Sequence, residues 1–143
     1  MVLEDHHRDN LNSLLKRIYK IEPDLGIFIA FKITQGLKEL REIGSVYREL
    51  STKSVLFKQQ EGCPAIIKIS DFIFDPKIRK FLEESQEDKT IYCTYRAPEV
   101  YDTTLPQDAG KEDIWSLGCI MYELLYGEGP FLATSQKEFL SIA

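Results

Sequence analysis

Side chains able to do chemistry gather in five short stretches of this 143-residue chain. They are "HHRDN" (6–10), "VYRELSTKSVLF" (46–57), "SDFIFDP" (70–76), "YRAPEV" (95–100) and "DIWSLG" (113–118). In the first, Asp9 follows His7 and Arg8, and a carboxylate is a residue type that can take a proton from a substrate hydroxyl. The surroundings of Asp9 argue against that work. A polar "HHRDN" at the head of an amphipathic helix reads as a solvated helix start. His6 and His7 have no cysteine or carboxylate at ligand spacing, so no metal site is expected there.

The elements that must position the other four stretches follow from periodicity. Leu11, Leu14, Leu15 and Ile18 form an i, i+3, i+4, i+7 stripe, which predicts a helix over 10–20. Pro23 suits an early helical position, and Leu25, Phe28, Ile29, Ile33, Leu37 and Leu40 keep a helical period over 24–43 until Gly44. Then the period changes. "SVLF" (54–57) and "AIIKIS" (65–70) are β-branched runs that predict a hairpin with a longish loop, "KQQEGCP". Residues 73–96 read as irregular. "DIWSLGCIMYELLYG" (113–127) is helical in length and apolar on most of its circumference, so a buried central helix is expected. "SQKEFLSIA" begins another helix.

Composition narrows the function classes. With 43% hydrophobic and 29% charged residues the chain is one globular domain or part of one. A net charge of −5 argues against nucleic-acid or anionic-membrane partners, which need clustered cations. Cys63, Cys93 and Cys119 are few, odd in number and widely spaced, giving neither a disulfide framework nor a metal cluster. The N-terminus has no signal-peptide core, and "LGIFIAF" meets Lys32 far short of a membrane span. A cytoplasmic location is expected.

Four motifs now fall in order on suitable elements, and together they resemble the C-terminal lobe of a protein kinase. The pattern H-R-D-L-x-x-x-N has its counterpart in Tyr47, Arg48, Glu49, Leu50 and Ser54; D-F-G in Asp71, Phe72 and Ile73; A-P-E in Ala97, Pro98 and Glu99. "DIWSLGCIMYELL" resembles the family's central helix, whose first aspartate, here Asp113, is expected to hold the catalytic-loop backbone. Asp9 drops out, because Leu14 stands at its asparagine position and no hairpin follows it. The fold expected is mainly α with a small β-hairpin, a truncated kinase-like C-terminal lobe over 1–143. The helices are at 10–20 and 24–43, the catalytic-loop equivalent at 46–57, the activation segment at 71–99 and the central helix at 113–127.

The resemblance implies a Ser/Thr-type kinase with ATP and magnesium as cofactors, and the substitutions imply impairment. Glu49 replaces the base aspartate, and its extra methylene moves the carboxylate by roughly an ångström, a misplacement that can cost on the order of 10²-fold in rate. Ser51 stands where Ser/Thr kinases carry a lysine near the transferred phosphate. Ser54 replaces a magnesium-binding asparagine and is shorter than the amide it replaces. Asp71 keeps the main magnesium position, beside Ile73 in place of a flexible glycine. Arg48 is the arginine that clamps a phosphorylated activation segment; here Ser85, Thr90, Tyr92 and Thr94, or the acidic run around Glu83 and Glu84, would be its counterparts.

The Gly-rich loop, the strand lysine and its glutamate partner belong to an N-lobe expected to lie outside the chain, as do the last helices. The arginine expected to pair with Glu99 would lie in those helices, so Glu99 is expected to lack its partner. ATP and magnesium are therefore not expected to bind to this chain alone. Three readings follow: a pseudokinase-type scaffold that binds a protein partner or the missing kinase-domain segments; an active Ser/Thr kinase completed by segments outside the chain; or a helical interaction domain. No nucleic acid or membrane partner is expected.

Overall fold

Asn10 opens the first helix because its side chain supplies a missing backbone partner. In the computed structural model, which describes residues 9–60, 62–70, 95–102, 104–106, 108–131, 133 and 135–143, it accepts a hydrogen bond from Ser13 N at 2.8 Å, the usual work of an N-cap asparagine. Helix α1 (Leu11–Ile18) buries Leu11, Leu14 and Leu15. It stops at Tyr19, whose φ of 67° turns the chain out of the helix, short of the residue 20 that periodicity alone suggests. Its entry is pinned to the hairpin: Phe57 N donates to the Asp9 carbonyl at 2.8 Å, and Asn10 bridges Leu56.

Helix α2 (Pro23–Glu42) starts at a proline, which has no amide proton to leave unpaired. It ends in a Schellman motif on Gly44, with Ser45 N donating to the Leu40 carbonyl at 2.9 Å and Gly44 N to that of Arg41 at 3.0 Å. The φ of +74° at Gly44 suits glycine.

Strands β1 (Val55–Gln60) and β2 (Cys63–Ile69) pair antiparallel, with Val55 opposite Ile69 and Gln60 opposite Cys63. The hairpin is tighter than "KQQEGCP" suggests: Gln59 and Gln60 stay in the strand, a register irregularity between Lys58 and Gln60 absorbs the extra residue, and Gly62 turns at φ +70°.

Helix α3 (Ala109–Tyr126) begins four residues before the expected start, because Asp108 caps it by accepting from Gly110 N at 3.0 Å. Gly127, left-handed at φ 85°, closes it. α2 and α3 run antiparallel: Gly26 faces the Leu125 side chain at one end, and Gly110 faces the Arg41 guanidinium at the other. Ile21 N donates to the Leu124 carbonyl at 2.8 Å, so the α1–α2 link is also tied to α3.

The expectation that α3 is buried all round needs correction. Asp113, Ser116, Cys119, Ile120 and Leu124 form the buried stripe, whereas Ile114, Tyr122 and Tyr126 are exposed. One helix covers one side; α2 does so, and a second side is met by Phe131, which stacks on Trp115 with centroids 5.4 Å apart. The short helix α4 (Gln136–Ile142) docks by Phe139, which is fully buried and meets Phe131 edge-on. The core joining these elements contains Leu11, Leu15, Ile29, Ile33, Leu50, Val55, Ile120 and Leu124. Among the described residues no helix is long and apolar enough to cross a membrane.

Candidate functional site

The loop between α2 and β1 is held from beneath by one carboxylate. Asp113, buried in the first half of α3, accepts from Tyr47 N at 2.9 Å and from Arg48 N at 2.6 Å. These are charge-assisted bonds to amides that no strand or helix satisfies. They also fix Arg48 at φ 71°, a region that costs a non-glycine residue on the order of 1–3 kcal/mol and persists only where the surroundings over-determine it. Tyr47 is itself buried, and its hydroxyl donates to the Ser70 carbonyl. Ser70 N and Oγ donate to the Ser54 carbonyl at 2.8 and 3.1 Å. The loop is thus tied to the end of β2, directly before Asp71.

Two side chains of the loop are engaged internally. The Ser54 hydroxyl accepts from Ser51 N and donates to the Ser51 carbonyl, both at 3.0 Å, and is buried. Glu49 meets the Arg96 guanidinium at 3.4 Å, with both side chains about three-quarters covered. Arg48, Arg96, Glu99 and Asp113 all act electrostatically on Glu112, whose carboxyl is nonetheless raised, chiefly by burial. The four charged side chains beside Arg48 therefore form one mixed cluster. Glu99, expected to lack a partner, is not without one in this chain; the expectation placed that partner only in later helices.

A buried network locks the "YRAPEV" stretch across the loop. The Tyr95 hydroxyl donates to Glu123 and lies 3.0 Å from the Thr52 hydroxyl, while Ser116 Oγ donates to the Tyr95 carbonyl at 2.8 Å. One residue thus joins the loop, α3 and the 3₁₀ turn Pro98–Val100. Burial, and then the neighbouring Glu123 charge, push the Tyr95 phenol well above its ordinary range. Burial also raises Glu123, against the lowering effect of its bonds to Tyr95 and Thr52.

A carboxyl raised on folding stabilises the fold fully below its unfolded pKa and loses that contribution as pH rises through the folded value. Glu123→Gln is therefore expected to gain stability relative to the parent chain as pH goes from 4 to 7. Urea melts across that range check it, and a constant difference would contradict it.

Of the residues singled out in the sequence, the structure gathers Tyr47, Arg48, Glu49, Ser51, Ser54, Glu99 and Asp113 around one loop. Asp71, Phe72, Ile73 and the hydroxyls and acids of 83–94 lie outside the described residues. Thr52, Tyr95, Ser116 and Glu123 were not anticipated. Glu123 carried a signal: a lone carboxylate in an apolar helix is rarely buried without a partner.

The Asp9 side chain, by contrast, is held in an ion pair with Arg17 at 2.9 Å, both about half exposed. Asp9→Ala is expected to change stability by no more than about 0.5 kcal/mol in a urea melt.

A helix-dominated unit with a two-stranded antiparallel sheet, a loop hung from a buried aspartate and an A-P-E turn latched above it define a class. The chain belongs to the protein kinase domain family, whose model matches residues 1–142. It is 30% identical over 140 residues to the meiosis-specific serine/threonine-protein kinase mek1 of Schizosaccharomyces pombe, covering 90% of this chain and 31% of that protein. It is 28% identical over 151 residues to serine/threonine-protein kinase RAD53 of Saccharomyces cerevisiae, covering 96% of this chain and 18% of that protein. The chain therefore spans less than a third of the length of these curated relatives. A solved structure of Rad53 in complex with AMP-PNP superposes with a TM-score of 0.71 at 23% identity, over 94% of this chain and 32% of that one; the likeness is one of fold.

Such a fold implies magnesium and a nucleotide, and the main magnesium position, Asp71, lies outside the described residues. The hydroxyl at one magnesium position, Ser54, is buried and bonded at both ends to Ser51. Among the described residues no group of three or more His, Cys, Asp or Glu side chains could hold a metal ion.

Proposed function

We propose that this chain is a kinase C-lobe module of Ser/Thr ancestry whose phosphoryl-transfer apparatus is impaired, and that it acts as a pseudokinase-type scaffold for a protein partner. The observation that carries this reading is the engagement of Ser54. Phosphoryl transfer depends on positioned cations and carboxylates around the phosphates. A buried hydroxyl bonded to Ser51 N and O keeps only one lone pair for a magnesium ion, where an asparagine would present a longer amide. Glu49 supports the same reading, since a carboxylate facing Arg96 at 3.4 Å already has an internal cation as partner.

The test is a thermal melt with millimolar magnesium ATP. A ligand present at about 100 times its dissociation constant stabilises a protein by about 2.7 kcal/mol, several degrees for a domain of this size. No shift is expected. A shift that disappears in Asp71→Ala would overturn the reading in favour of an active Ser/Thr kinase completed by further segments, the alternative favoured by similarity to proteins named serine/threonine kinases.

A further inference from the structure

The seam between α2 and α3 opens, at the Arg41 end, into a pocket of about 200 Å³. Its walls are apolar: Leu37 from α2, Val46 from the turn that follows, and Ile114 from α3. Ile114 is 57% exposed, a large apolar side chain facing water at the rim of a concavity. The volume is below that of a typical small-molecule site and suits one or two anchoring side chains.

The cations at this pocket have weak claims on them. Arg41 lies against the start of α3, where its guanidinium Nη1 would be 2.7 Å from a Cβ at Gly110, so glycine is what lets the charge lie there. Arg41 makes no ion pair among the described residues. Lys38 reaches only Glu42 on its own helix, at 3.8 Å with both side chains largely in water, a pairing that readily exchanges. The carboxylate that also borders the pocket, Asp113, is already bonded to the Tyr47 and Arg48 amides. Apolar walls beneath two weakly paired cations complement a ligand with the opposite arrangement.

We propose that this pocket is a docking site for a partner protein's peptide segment presenting an apolar side chain next to a carboxylate. The apolar side chain enters between Leu37, Val46 and Ile114, and the carboxylate meets Arg41 and Lys38. The site includes Val46, at the start of the loop that Asp113 holds, and its occupancy does not depend on whether that loop transfers phosphate.

The probe is a fluorescein-labelled hexapeptide alternating aspartate and leucine, followed by fluorescence polarisation against the full chain. Saturable binding is expected, weakened at least about tenfold when aspartate becomes asparagine or leucine becomes alanine, and weakened again as salt rises from about 50 to 500 mM. Arg41→Gln is expected to weaken it at least about fivefold with an unchanged melt, and Arg41→Lys to retain most of it. Because Arg41 is exposed, these variants keep the core intact. No binding, equal binding of the asparagine peptide, or unchanged affinity in Arg41→Gln would each overturn the proposal.

Discussion

Asp113→Ala is expected to lower the stability of this chain by about 3 kcal/mol. The substitution removes the acceptor of two backbone amides, the buried Tyr47 N and the partly buried Arg48 N, and a buried polar group left without a partner costs about 1–3 kcal/mol. The loss exceeds two neutral hydrogen bonds because the acceptor is charged. It also removes what holds Arg48 at positive φ, so part of the effect should appear as loosening of the loop rather than global unfolding. Urea melts read the first part and amide exchange at Tyr47, Arg48 and Leu50 reads the second. Asp9→Ala is the internal control. Equal effects of the two substitutions would mean that Asp113 does not anchor this loop.

Ile120→Ala is expected to cost about 2–5 kcal/mol, the range for deleting most of a buried aliphatic side chain and leaving a cavity. Ile120 is fully buried, between neighbours that belong to the central cluster. Ile114, six positions earlier on the same helix, is expected to cost no more than about 0.5 kcal/mol when changed to alanine, since it loses little burial. Comparable losses from both would restore a helix covered on all sides. A gain in solubility for Ile114→Ala fits the exposed side, because uncovered apolar surface promotes association.

Most of the fold was legible because its signals are local. The α1 stripe, the proline start and glycine stop of α2, and the two β-branched runs each depend on a few neighbouring residues. The errors arose where a distant or short-range polar group overrode composition. Asp108 started α3 early by capping it, although Gly110 weakens a helical pattern. Gln59 and Gln60 stayed in β1 because the partner strand supplied hydrogen bonds that propensity does not measure.

The buried face of α3 was not legible for a related reason. Leu117 and Met121 are comparable in apolarity to Ile120, and the placement of the neighbouring elements decides which of them is covered. The gathering of Tyr47, Arg48, Glu49 and Asp113 followed from motif order, whereas the latch through Thr52, Tyr95 and Glu123 joins positions up to 71 residues apart that no single motif spans. The engagement of Ser54 with Ser51 is a rotamer choice, and a sequence does not carry it.

The most direct measurement of the impaired apparatus is transfer of labelled γ-phosphate from ATP to a mixed protein substrate, with the chain supplied alongside magnesium or manganese. Transfer no greater than the protein-free blank is expected, because Ser54 and Glu49 are both engaged within the chain. Transfer above the blank that is abolished by both Asp71→Ala and Glu49→Gln would contradict that claim and identify a working catalytic loop.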